Sequence, residues 1–277
     1  MKKTMLFCLL PAILGLWGCD EGKNEERETP KETATILKTV LLLDFADQRC
    51  VYCPRASEEA ATLKKRYDDR LVVVTIHAYP TNLPLVTEAG NEYDQYFGVS
   101  RIGHPVGVID GTLSPEYYDW EEEIKLRFQV APSVTIDLAA NYDSDNRAVS
   151  LVSHLKGLRK ITNTKLLIWV VENNIIDSQK LLNGDLYHVD THYRHQHIFR
   201  AALNGTWGEA VMLEANEEKI LTNEFKLAEN WRAENISLVA FIYNTATDEV
   251  LDVAETEIGV IAGLTRNPLK QLRMIKQ

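Results

Sequence analysis

Cys50 and Cys53, in the stretch RCVYCP (Arg49–Pro54), stand two residues apart in a chain that holds four cysteines in 277 residues. Two thiols at that spacing can cycle between dithiol and disulfide, close a small structural loop, or supply half of a metal site. Zinc sites ordinarily take four ligands, and the chain has no second C-x-x-C. A structural staple gains little here, since closing so short a loop contributes roughly 2 kcal/mol against about 3 for fifteen residues. Redox chemistry and a permanently oxidised pair stay open, with the redox reading ahead.

The elements around the pair decide what it can do. TVLLLDFA (Thr39–Ala46) is a continuous apolar run, as expected of a buried parallel strand. Beyond the cysteines, Ala56, Ala60, Leu63 and Tyr67 fall at helical spacing and give one apolar face. Cys50 is thus expected to follow the strand directly and immediately precede the helix, where the positive end of the helix dipole favours its thiolate. Cys53, one turn on, is placed to resolve a mixed disulfide. LVVVTIHA (Leu71–Ala78) reads as a second buried strand, and Val86–Phe97 as a short helix stopping near Gly98. PVGVID (Pro105–Asp110) reads as a short strand ending in an Asp110-Gly111 turn, and Pro115–Val130 as a further helix. This alternation is an α/β pattern. From Ala131 onward strands dominate. Seven candidates (SVTIDLAANY, RAVSLVSHL, TKLLIWVVEN, HIFRAAL, ILTNEFKLA, ISLVAFIYN and EVLDVAETEIG) predict an antiparallel, immunoglobulin-sized β-sandwich.

The first nineteen residues, MKKTMLFCLLPAILGLWGC, place two lysines before a short apolar run, the layout of an export signal. LWGC resembles a bacterial lipobox, which implies cleavage before Cys19 and acylation of that cysteine, palmitate included. Cys8 is lost with the signal, so Cys50 and Cys53 are the remaining thiols, in a compartment where disulfides persist. Residues 20–36 are acidic and nearly free of apolar side chains, the composition of a flexible tether; acids directly after the lipid cysteine also resemble the surface-export signal of Bacteroidete lipoproteins. No later stretch approaches the run of about 20 apolar residues that spans a bilayer. Residues 261–277 form a basic tail, with Arg266, Lys270, Arg273 and Lys276, read as a solvated or docked segment. A net charge of −10, with 40 acidic against 30 basic residues and no basic patch, argues against nucleic acid as a partner.

The segment around the cysteines resembles a thioredoxin-fold domain. FGVSRIGHPVGVIDG (Phe97–Gly111) is similar to the stretch that bears that fold's cis-proline, which maps to Pro105. The resemblance implies that Pro105 shapes a peptide groove beside the disulfide, and that His104, directly before it, faces the pair as a base or cation. Arg49 and Val51-Tyr52 differ from thioredoxin itself, so the resemblance carries the fold and not thioredoxin's potential or partners. The whole arrangement resembles the Bacteroidete outer-membrane lipoprotein family typified by a protein of about 28 kDa, a likeness that speaks to architecture and location more than to chemistry. The expected organisation is a signal peptide (1–19), a tether (20–36), a thioredoxin-like domain (37–130), an immunoglobulin-like β-sandwich (131–260) and the tail (261–277).

Two functions follow as expectations. One is an outer-membrane, lipid-anchored thiol–disulfide oxidoreductase acting on exported proteins, with Cys50 attacking, Cys53 resolving, His104 and Pro105 alongside, and no dissociable cofactor. The other is a non-enzymatic surface binding or adhesion lipoprotein in which the pair is a structural disulfide. Tyr52 reads as an exposed contact residue and His77 as a packed one. YHVDTHYRHQHIFR (Tyr187–Arg200) carries His188, Asp190, His192, His195 and His197. His195 and His197 alternate on one strand face, a spacing that can chelate zinc or copper; a polar loop leading into a strand explains them without metal, and no metal is assigned. Trp207 is expected to pack at the sandwich edge.

Overall fold

The computed structural model describes residues 36–79 and 82–260. The expected signal peptide, lipid-bearing Cys19, most of the tether and the basic tail lie outside the described residues.

Strand β1 (Val40–Ala46) is buried on both faces, as its unbroken apolar run requires. It pairs in parallel with β2 (Leu71–His77), the crossover being helix α1 (Cys53–Tyr67). Val40 and Leu42 pack with Ala56, Ala60 and Leu63 of α1. Leu41, Leu43 and Phe45 point the opposite way, toward Tyr93 of helix α2 (Glu88–Phe97). The Thr87 hydroxyl caps α2 by accepting the Gly90 N–H at 3.0 Å, and left-handed Gly98 ends it. Strand β3 (Val106–Ile109) runs antiparallel to β1 and turns into β4 (Thr112–Ser114). Asp110 and Gly111 make that turn with φ of 47° and 84°, the positive pair a two-residue hairpin favours. Helix α3 (Trp120–Arg127) is shorter than the predicted Pro115–Val130, because Tyr117–Asp119 form a 3-10 turn before it.

The rest is β structure: β5 (Val134–Asp143), β6 (Ala148–Gly157), β7 (Ile161–Glu172), β8 (Ile175–Asn183), β9 (Leu186–His195), β10 (Ile198–Ala202), β11 (Glu209–Leu213), β12 (Glu218–Lys226), β13 (Ile236–Asn244), β14 (Val250–Glu257) and β15 (Gly259–Val260). The seven expected segments are all strands. Missed were β11, the two-residue β15 and the β8–β9 hairpin, much of which is exposed on both faces and so carries no clean alternation.

One sheet has the order β14-β13-β7-β10-β2-β1-β3-β4, with β11 also on β7; a second is β12-β6-β5-β15; β8 and β9 form a third. The sandwich was expected to hold sheets of its own. Instead, one of its two layers continues into the α/β sheet, because Ile198 of β10 pairs in parallel with Thr75 of β2, and the Thr75 N–H donates to the His197 carbonyl at 2.7 Å. β7 is the shared wall. Its Leu166, Ile168 and Val170 enter a core with Val134, Ile136, Val149 and Leu151 of the facing sheet. Its Leu167, Trp169 and Val171 enter the core that β1 and β2 also fill. Sequence alternation in β7 is invisible for that reason, since both faces are apolar.

A buried ionic cluster ties the first strand to the end of the chain. The Lys38 ammonium lies 2.8 Å from Asp110 and donates to the Val250 carbonyl at 2.6 Å, and the Thr39 N–H donates to Asp252 at 3.2 Å.

Candidate functional site

Strand β1 delivers the chain to a tight turn at Asp47–Cys50, closed by the Cys50 N–H on the Asp47 carbonyl at 3.0 Å. The helix was expected to begin immediately after Cys50. It begins instead at Cys53, with Pro54 in the first turn, where its missing N–H costs nothing. Cys50 therefore sits just outside the helix, half-buried, while Cys53 is inside and buried. The two form a disulfide with a Cα separation of 5.5 Å. The Cys53 N–H, one of the unpaired donors of the helix terminus, points at the Cys50 Sγ from 3.0 Å. This contact and the helix dipole both favour negative charge on that sulfur.

The His104–Pro105 peptide is cis and lies against the pair, with the Cys50 Sγ 3.4 Å from the His104 carbonyl oxygen. The His104 ring, expected to face the disulfide, turns elsewhere: its Nε2 lies 3.1 Å from the Asp94 carboxylate on α2. Asp94 loses hydration on burial, yet the bonds from His104 and Ser100 outweigh that cost and hold its carboxyl below the usual range. His104 thus presents its main chain to the sulfur and its side chain to a carboxylate. Tyr52 is exposed beside the pair, as expected.

Two further groups belong to the site. Asp44, fully buried in β1, accepts from the Ser57 hydroxyl at 2.9 Å, and burial pushes its carboxyl up to about 6 against the lowering effect of that bond. Ser57 follows Cys53 by one helical turn, so the carboxyl lies beneath the first turn of α1. Its signal was legible: it is the lone acid in VLLLDFA, and an acid inside a buried strand is rare unless it has a task. Gln179 of β8 left no such signal. Its amide donates to the Cys50 carbonyl at 2.8 Å and the Asp47 carbonyl at 3.3 Å. Beside it, the Lys180 N–H donates to the Gln48 carbonyl at 2.8 Å, and the Gln48 amide to the Ser178 carbonyl at 2.9 Å. The β8–β9 hairpin is clamped to the cysteine loop.

A cavity of about 200 Å³ lies behind Cys53, walled by α1, the end of β2 and the β9–β10 connection. His77, His195 and His197 line it. His195 and His197 do not alternate on one strand: β9 ends at His195 and the chain turns at His197, whose φ is 58°. His188 and His192 lie farther along β9, exposed. Among the described residues no group of three or more His, Cys, Asp or Glu side chains is arranged to hold a metal ion. Trp207 packs against Tyr93 and Tyr96 of α2, at centroid distances of 5.3 and 4.8 Å, and so bridges toward the helical side.

Fold and site together define a mostly-β protein in which one sheet of a sandwich continues into an α/β unit that carries a C-x-x-C disulfide at a helix start. The model of the family "outer membrane protein Omp28" matches residues 90–261, and the chain belongs to that family. It is accordingly an outer-membrane protein. Among solved structures it is similar to HBP35 of Porphyromonas gingivalis, at 19% identity and a TM-score of 0.66, over 83% of this chain and 79% of that one. That similarity speaks to the fold. A domain of the outer membrane lipoprotein Omp28 from the same organism matches at 21% identity and a TM-score of 0.32, over 48% of this chain and 93% of that one. No curated protein matches the chain. No helix among the described residues is long and apolar enough to cross a membrane.

Proposed function

We propose that this outer-membrane protein exchanges thiols and disulfides with exported proteins, from a thioredoxin-like unit of residues 37–130 joined to a sandwich unit of residues 131–260 and held at the membrane by lipid on Cys19. The observation that carries the reading is the asymmetry of the pair: Cys50 is half-buried and receives a helix-terminal N–H, whereas Cys53 is buried one turn along. A staple needs no such difference; a nucleophile and its resolving partner do.

Cys50, as thiolate, attacks a substrate disulfide and forms a mixed disulfide. Cys53 then attacks the Cys50 sulfur and frees the substrate dithiol. Cys53 must shed its proton to do so, and Asp44, with a pKa of about 6, is mostly ionised at neutral pH and can receive it. The electrons reside on the two sulfurs, so no dissociable cofactor takes part.

The test is the reduction potential of the pair together with turnover of insulin or a scrambled protein, with Cys50→Ser as control. Turnover lost in Cys50→Ser supports the reading. A potential far below about −300 mV without turnover marks an inert disulfide on a binding lipoprotein.

A further inference from the structure

Of the polar groups lining the cavity behind Cys53, three have no protein partner among the described residues: Nδ1 of His77, Nε2 of His195 and Nδ1 of His197; Oδ1 of Asp44, whose other oxygen is held by the wall residues Ser57 and Thr75, has none either. His77 and His195 are more than nine-tenths buried, at 3% and 4% exposure, and their rings stand 5.3 Å apart on the cavity wall. Unpaired buried nitrogens are costly, and such groups collect around water when the space is polar and large enough. This space, at about 200 Å³, is large enough for several waters. Cys53 forms part of its wall, and so do Ser57 and Thr75, whose hydroxyls lie 2.9 and 3.5 Å from the Asp44 carboxylate. Its outer rim is made by exposed Glu58, Ala61 and Arg194. The cavity therefore runs to solvent from the resolving cysteine and from the two hydroxyls that hold the Asp44 carboxylate.

We propose that this cavity is a water-filled proton route between Asp44 and solvent, with His195 and His77 as the positioning residues that hold its water. The inference rests on the exchange reaction proposed above. As the Cys53 sulfur attacks Cys50, the bond from Cys50 to the substrate sulfur breaks, the Cys50–Cys53 bond forms, and the substrate leaves as thiolate. The protein dithiol is oxidised and the substrate disulfide reduced by the same two electrons. The proton from Cys53 passes to Asp44, then to cavity water, then outward past His195. Ser57 and Thr75, which hold this buried carboxyl, line the cavity, and without a path outward the carboxyl stays protonated and cannot serve the next cycle.

The histidines suit the task. The His195 Nε2 has no protein partner among the described residues and is free to accept from cavity water. Burial lowers His195 to about 4, against the raising effects of the Ser178 backbone and of Asp177, and burial lowers His77 with help from His195 and His104. Both stay neutral and orient water without trapping the proton. The other titratable groups facing the cavity are Glu58 on α1, Tyr193 and Arg194 on β9, and His197, which lies near Lys64 and Glu255.

The test uses the reduced full-length protein mixed rapidly with excess hydroxyethyl disulfide. Closure of the Cys50–Cys53 bond is followed by acid quench and alkylation across neutral pH, and the first attack is measured separately in Cys53→Ser. His195→Leu is expected to slow closure on the order of tenfold near neutral pH. It should shift the pH profile, leave the first attack unchanged, and recover with added imidazole, while His195→Gln recovers part. Unchanged closure in a folded His77→Leu/His195→Leu double variant overturns the proton route and leaves the exchange reading standing. No exchange in the unaltered protein overturns both.

Discussion

Asp44 is the residue whose chemistry is most exposed to measurement. Its carboxyl is at about 6 in the fold and about 3.9 when the chain is unfolded. The folded state therefore binds the extra proton between those values, so this group's contribution to stability is complete below about pH 4 and lost as pH rises through 6. Asp44→Asn removes that loss, and the variant is expected to be more stable than the parent above pH 7 by about 2–3 kcal/mol, read by urea titration at several pH values. The same variant should slow closure of the cysteine pair, because Asn accepts no proton. Gain of stability with loss of rate separates a proton acceptor from a packing residue; loss of both would discard the assignment.

At the scale of elements, the β8–β9 hairpin stands out because it binds the cysteine loop rather than extending a larger sheet. Gln179 is 2% exposed and its amide serves the carbonyls of Cys50 and Asp47. Gln179→Ala leaves those carbonyls without it and is expected to cost about 1–3 kcal/mol. If the clamp positions the site, the Cys50–Cys53 potential moves as well, which a clamp that only adds stability to both redox states equally would not produce. Thiol–disulfide titration of the variant decides this. Adding Gln48→Ala should cost less than the sum of the two single changes, since both amides hold one loop. β3 imposes a different constraint on the site: a Cβ at Gly107 would collide with the Trp120 indole, so the strand that follows the cis peptide accepts no side chain there.

Across the whole molecule, one buried lysine serves two buried carboxylates. Lys38 reaches Asp110, and Asp252 lies close by, where burial pushes its carboxyl up to about 7 despite bonds from the Thr39, Val253 and Ile136 backbone. Its folded pKa is raised, so its contribution is complete below about pH 4 and is lost as pH climbs toward 7. Asp252→Asn should flatten the fall in melting temperature over that range. Lys38→Met, which strands Asp110 without its cation, should cost about 3–5 kcal/mol. The sequence by itself determined most of the strands and helices in their order, the family-like layout, and the cysteine pair with its neighbouring proline, because these are local: apolar runs, turn residues and spacing. It also held the clue to Asp44, a charge in a run that must be buried. Only the tertiary structure decided that two expected layers share one sheet, that His104 turns its ring to Asp94, and that Gln179, His77 and His195 gather around the cysteines. Gln179 and His195 lie more than a hundred positions along the chain from the cysteines, and a polar side chain in an exposed or short strand carries no periodic mark of the neighbour it will meet.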